Sequence, residues 1–110
     1  EYNDIIERTR KGLLKEKDII GGTFSITNLG MLGVDSFTPI INPPQVAILG
    51  VNRMVKKPFV DEETGEIKIG TFMNLSLTFD HRAVDGAPAA RFLQRVKYYL
   101  EHPEEVNWFV

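Results

Sequence analysis

Between Ile67 and Asp80 the chain alternates apolar and polar residues. Ile67, Ile69, Met73, Leu75, Leu77 and Phe79 fall on one parity, and Lys68, Asn74, Ser76, Thr78 and Asp80 on the other. Successive strand residues point to opposite faces, so this period predicts a strand with one face buried and the other polar. The segment Asp61-Glu62-Glu63-Thr64-Gly65 before it is a polar turn suited to closing a hairpin. After it the chain runs straight into Asp80-His81-Arg82-Ala83-Val84-Asp85-Gly86, and a helix is predicted from about Asp85 or Gly86. Pro88 falls in the first turn of that helix, where proline is tolerated. Ala89, Phe92, Leu93, Val96 and Leu100 form its apolar stripe, with Arg91, Gln94, Arg95 and Lys97 on the solvated side. Pro103 ends it, and His102 in its last turn suits the negative end of the helix dipole.

The earlier part of the chain is read by the same rules. Ile5, Ile6, Thr9, Leu13 and Leu14 recur at near-helical spacing, which predicts an amphipathic helix over residues 1–15. Residues 18–22 form a turn ending in Gly21-Gly22, and residues 23–28 a short strand. The glycines of Leu29-Gly30-Met31-Leu32-Gly33 lack nucleotide-loop spacing, and no lysine follows them. The paired prolines of Ile40-Ile41-Asn42-Pro43-Pro44 exclude a helix there, and residues 46–51 are a compact apolar run expected to be a buried strand.

Composition narrows the function classes. A chain of 110 residues suits one domain with a modest core, and 43% hydrophobic with 25% charged residues is ordinary for a globular protein. The net charge of -2 argues against nucleic-acid binding, which calls for a basic surplus. No apolar run has the length of a membrane span and no signal peptide is legible, so a cytoplasmic location, or the mitochondrial matrix in a eukaryote, is expected. The opening Glu1 points to a fragment or a processed chain. With no cysteine there is no disulfide framework and no thiol nucleophile for a covalent acyl-enzyme. Two histidines far apart, without a dense carboxylate cluster, give no expectation of a metal site.

His81 is the candidate for chemistry, because imidazole moves protons best near neutral pH. Extending the strand parity places it on the buried side, either as a core residue with satisfied nitrogens or as a desolvated base. Asp85 follows at the helix start, where an aspartate is a natural N-cap. It is expected to hold this corner rigid through a salt bridge rather than to relay protons.

Residues Leu77-Thr78-Phe79-Asp80-His81-Arg82-Ala83-Val84-Asp85-Gly86 resemble the His-x-x-x-Asp-Gly signature shared by chloramphenicol acetyltransferase and the dihydrolipoamide acyltransferases of 2-oxo acid dehydrogenase complexes. Residues 21–30 and 37–51 resemble the dihydrolipoamide acyltransferases closely, so the likeness covers essentially the whole chain, in order. It implies an α/β fold: a chloramphenicol acetyltransferase-like two-layer sandwich with a mixed sheet, of which residues 1–110 would be the C-terminal half of the catalytic domain. It implies acyl exchange between the thiols of coenzyme A and a dihydrolipoyl group, the latter carried on a separate domain or chain. His81 matches the family's general base and Asp85 the carboxylate that braces the site. Thr27 stands where the family usually has a serine that donates to the tetrahedral oxyanion. The wording of residues 29–34 and 37–39 is closer to acetyl-transferring complexes than to succinyl-transferring ones. The implied partners are two further copies in a homotrimer, trimers assembled into a cubic or icosahedral core, and the 2-oxo acid dehydrogenase and dihydrolipoamide dehydrogenase components. Within such a trimer the base and the hydroxyl come from neighbouring subunits. The apolar Asn107-Trp108-Phe109-Val110 either packs on its own domain or docks into a neighbouring trimer. A non-catalytic core-assembly fragment and an antibiotic O-acetylating enzyme are the alternatives.

Overall fold

The computed structural model describes residues 1–106, so Asn107-Trp108-Phe109-Val110 lies outside the described residues. The predicted hairpin is its dominant element. Strand β3, Ile67–Phe79, runs antiparallel to β2, Ala47–Val60, and the register extends from Ala47↔Phe79 to Val60↔Ile67. The polar turn closes the hairpin as expected. Asp61 N–H donates to Glu66 O, Gly65 N–H donates back to Asp61 O, and Lys68 Nζ reaches the Asp61 carboxylate at 2.6 Å. A short strand β1, Ser25–Asn28, lies parallel to β2 over Ile48 to Val51, giving the mixed order β1-β2-β3.

Strand β2 runs well past the apolar stretch that announced it. Beyond Val51 its other flank is no longer covered by β1, so it becomes an edge, where Pro58 costs no ladder hydrogen bond. The register shifts between Val51 and Met54. Beside that irregularity Asn52 is buried, and its side-chain Nδ2 donates to Asn74 O across the hairpin at 2.9 Å.

The register assigns the two faces. Ser25, Thr27, Ile48, Gly50, Ser76 and Thr78 share one, and Ile26, Leu49, Val51, Leu75 and Leu77 the other. The loop of residues 33–46 covers the first. Phe37 and Pro39 sit over Gly50, Gln45 accepts a hydrogen bond from Ser25 Oγ, and Asn74 Nδ2 donates to Asp35 O. Helix α3, Gly86–Glu101, covers the second, with the rings of Phe92 and Phe24 5.8 Å apart. Among the described residues Pro39, Ile48, Leu49 and Ala89 are buried between these layers. Burial along β3 follows this covering: Ile67 and Ile69, expected inside by parity, are both 76% exposed because neither layer reaches the hairpin's far end.

The helix predicted over residues 1–15 is shorter. Helix α1, Tyr2–Arg10, stops before Gly12, whose φ of 71° no helix accepts. A single turn, α2 (Glu16–Ile19), then occupies part of the expected turn at 18–22. Arg8 of α1 binds the Asp18 carboxylate of α2 and holds the two together. Among the described residues no helix is long and apolar enough to cross a membrane.

Candidate active site at the end of strand β3

The β2–β3 ladder ends where Asp80 N–H donates to Val46 O at 2.7 Å. Asp80 O then accepts from Ala83 N–H at 2.9 Å and Val84 N–H at 3.0 Å, which turns the chain before α3. The Asp80 carboxylate fixes the same turn from inside. Oδ1 accepts the Arg82 backbone N–H and Nε, each at 3.0 Å, and Oδ2 accepts Arg82 Nη2 at 2.8 Å. The Arg82 guanidinium, helped by its backbone N–H, pulls the Asp80 pKa down to about 2 and is itself held in its charged form.

His81 rides on this turn and is exposed. The parity expectation of a buried histidine is therefore corrected: the strand ends at Phe79 and the chain turns at Asp80, so strand parity no longer decides the burial of the next residue. The imidazole lies against the Phe79 ring, centroids 5.5 Å apart. It lines a groove of about 440 Å³ whose other wall is residues 41–46, including Pro43 and Pro44. Neither the paired prolines nor the likeness of residues 37–51 places that segment beside His81; the bond from Asp80 N–H to Val46 O, next to the Ala47↔Phe79 pair, brings it there.

Asp85 stands at the N-cap of α3, with extended backbone as expected, and its carbonyl accepts the Ala89 N–H at 3.2 Å. Its side chain makes no capping bond, and among the described residues its carboxylate has no hydrogen-bond or ion-pair partner. The salt bridge expected of Asp85 is thus corrected to Asp80–Arg82. A signal for it existed: aspartate commonly accepts the backbone N–H two residues on, and an arginine at that position adds a guanidinium to the same carboxylate.

Thr27 is half-buried in the middle of β1, opposite Gly50 and in line with Ser76. Two strand spacings, about 10 Å, separate it from β3, and His81 lies a further ~10 Å or more along that strand. Within one chain the two side chains do not meet. A larger groove of about 760 Å³ runs between α3 and the hairpin, lined by Met54, Phe72, Met73, Leu75, Leu93 and Leu100 among others. None of His81, Asp85 or Thr27 lines it, and the titratable residues on its walls are Lys97 and Glu101.

The family model of the 2-oxoacid dehydrogenases acyltransferase (catalytic domain) matches residues 1–107. The chain belongs to this family. It is 52% identical over 97 residues to the dihydrolipoyllysine-residue acetyltransferase component of the acetoin cleaving system of Bacillus subtilis, covering 88% of this chain and 24% of that one. The cubic core of the pyruvate dehydrogenase multienzyme complex matches at a TM-score of 0.82 and 38% identity, over 89% of this chain and 40% of that one. The dihydrolipoamide acetyltransferase of Azotobacter vinelandii matches at a TM-score of 0.83 and 38% identity, over 90% of this chain and 40% of that one. In that enzyme a serine, a histidine and an asparagine four positions after the histidine have been investigated for their role in catalysis. Asp85 likewise follows His81 by four positions. This acyltransferase-family chain spans about a quarter of the length of the curated relative and less than half of each solved one.

Proposed function

We propose that residues 1–110 are the C-terminal half of the catalytic domain of a dihydrolipoamide acyltransferase, and that His81 is its general base. The observation that carries this reading is the exposed imidazole at the end of β3, held over the groove of residues 41–46 in a chain of this family. In the transfer, His81 takes the proton of the dihydrolipoyl thiol, whose sulfur attacks the carbonyl carbon of acyl-coenzyme A. A free thiol has a pKa of roughly 8.5, so little of it is ionised at neutral pH and a base speeds the attack. Thr27 of a neighbouring copy in a homotrimer donates its hydroxyl to the tetrahedral oxyanion. The intermediate collapses with cleavage of the bond to the coenzyme A sulfur, which receives the proton back from His81. Asp85, which follows His81 by the same four positions as the asparagine follows the histidine in the Azotobacter enzyme, serves as a positioning residue.

Threonine keeps the donor hydroxyl but restricts its rotamers. The direct thiol-to-thiol route agrees with a chain that has no cysteine. We assign acetyl as the acyl group, in keeping with the acetyltransferases among its relatives. By the same reading, trimers assemble into a cubic or icosahedral core. That core serves the 2-oxo acid dehydrogenase and dihydrolipoamide dehydrogenase components in the cytoplasm, or in the mitochondrial matrix of a eukaryote.

The test is acetyl transfer from acetyl-coenzyme A to dihydrolipoamide, with a branched acyl-coenzyme A as competitor. It is run on the chain alone and on the chain joined behind the preceding half of the Bacillus subtilis relative's catalytic domain. His81→Ala is expected to lower turnover by ~10²–10⁴-fold, and Thr27→Ala by about 10²–10³-fold. Equal and small losses in folded protein would remove both residues from these roles. Transfer by neither form would leave the non-catalytic, core-forming reading.

A further inference from the structure

Gly86 opens helix α3, five residues after His81. Three ordinary reasons for a glycine fail there. Its φ is not in the left-handed region, so the backbone accepts any L-residue. No neighbouring backbone or apolar side chain crowds it. It is the first residue of a sixteen-residue helix, where alanine is the better helix former. One thing distinguishes the position: a Cβ placed on Gly86 would lie 3.9 Å from Nε2 of His81, and within 4 Å it would touch nothing else outside its own chain neighbours and helix backbone.

We propose that Gly86 is a positioning residue for the transfer, its missing side chain leaving Nε2 of His81 open to the substrate thiol. The inference rests on the proposed role of His81. A proton acceptor must come within hydrogen-bond reach of the group it deprotonates. A methyl in ordinary contact with Nε2 occupies the approach that a thiol sulfur needs. It also restricts rotation of an imidazole whose ring is backed by Phe79 on another side. Alanine at residue 86 would therefore cost function without costing the fold, the opposite of what a glycine retained for packing or backbone conformation would show.

The experiment is Gly86→Ala with three readouts. The first is thermal unfolding, expected unchanged or higher because alanine favours the helix. The second is carbethoxylation by diethyl pyrocarbonate, followed by mass spectrometry of the separate peptides bearing His81 and His102. The rate at His81 is expected to fall several-fold while that at His102, whose Nδ1 sits 3.0 Å from Tyr98 O at the far end of α3, stays as it was. The third is acetyl transfer in the joined protein, with kcat/KM falling about tenfold or more. Modification of His81 at the wild-type rate, or a loss of thermal stability that accounts for the loss of transfer, overturns the proposal. If the unaltered protein shows no transfer, the acyltransfer reading falls, while the modification rates still decide whether Gly86 governs access to Nε2.

Discussion

Asp80 grips Arg82 with both carboxylate oxygens, so the residues on either side of His81 are locked to each other and the imidazole is left as the free member of the turn. A carboxyl whose folded-state pKa lies below its unfolded value stabilises the fold above the unfolded value and loses that contribution as pH falls through the folded one. For Asp80 this window runs from about 4 down to about 2. The Arg82 side chain is 91% exposed, so salt weakens the pair. A carboxyl NMR titration is expected to place the Asp80 midpoint near 2 in the unaltered chain and to return it toward 3.8 in Arg82→Ala. A midpoint that stays near 2 would assign the hold to the backbone N–H instead of the guanidinium. At this scale the sequence pointed to His81 and to the N-cap place of Asp85. It did not show which aspartate holds the turn, because that depends on where the last ladder hydrogen bond falls.

Among the elements, β2 carries the tightest constraint. Gly50 is paired on both sides, and a Cβ there would lie 2.9 Å and 3.1 Å from atoms of the Phe37 ring and 3.4 Å from Pro39. Gly50→Ala must push the covering loop off the sheet or twist the strand, so it is expected to destabilise by about 1–3 kcal/mol. Urea unfolding measures this directly, and a midpoint equal to that of the unaltered chain would show that the loop gives way freely. The same shift of Phe37 and Pro39 disturbs the loop leading to residues 41–46, so the groove at His81 should loosen with it. Alternation made β3 legible from its start at Ile67, although the pattern ran on to Asp80 and His81, past the strand's end at Phe79. The continuation of β2 from Met54 to Val60 was not, because it contains a proline and no clean alternation. The register with β3 makes a strand of it, and loss of the β1 neighbour makes Pro58 acceptable.

Taken whole, the molecule leaves much apolar surface in water. Met54, Ile67, Ile69 and Leu100 are each more than half exposed, and Met54 and Leu100 line the groove between α3 and the hairpin beside the partly exposed Phe72, Met73, Leu75 and Leu93. The Cα radius of gyration is 17.1 Å, against about 13 Å for a compact chain of this size. The 110-residue chain on its own is therefore expected to bind 8-anilinonaphthalene-1-sulfonate strongly and to associate in sedimentation runs. Joining it to the preceding half of a relative's catalytic domain should lower the dye signal several-fold. An equal signal from both would mean that the joined half leaves this surface uncovered. The amino-acid sequence by itself determined the hairpin, the final helix, the family and the position of the histidine, because these rest on local periodicity, turn chemistry and linked motifs. Only the tertiary structure decided that His81 is exposed, that Asp80 and not Asp85 is paired, that residues 41–46 wall the groove, and that Thr27 stands apart from His81. Each of these follows from where strands end and what lies across from them, relations between distant residues that no local pattern encodes.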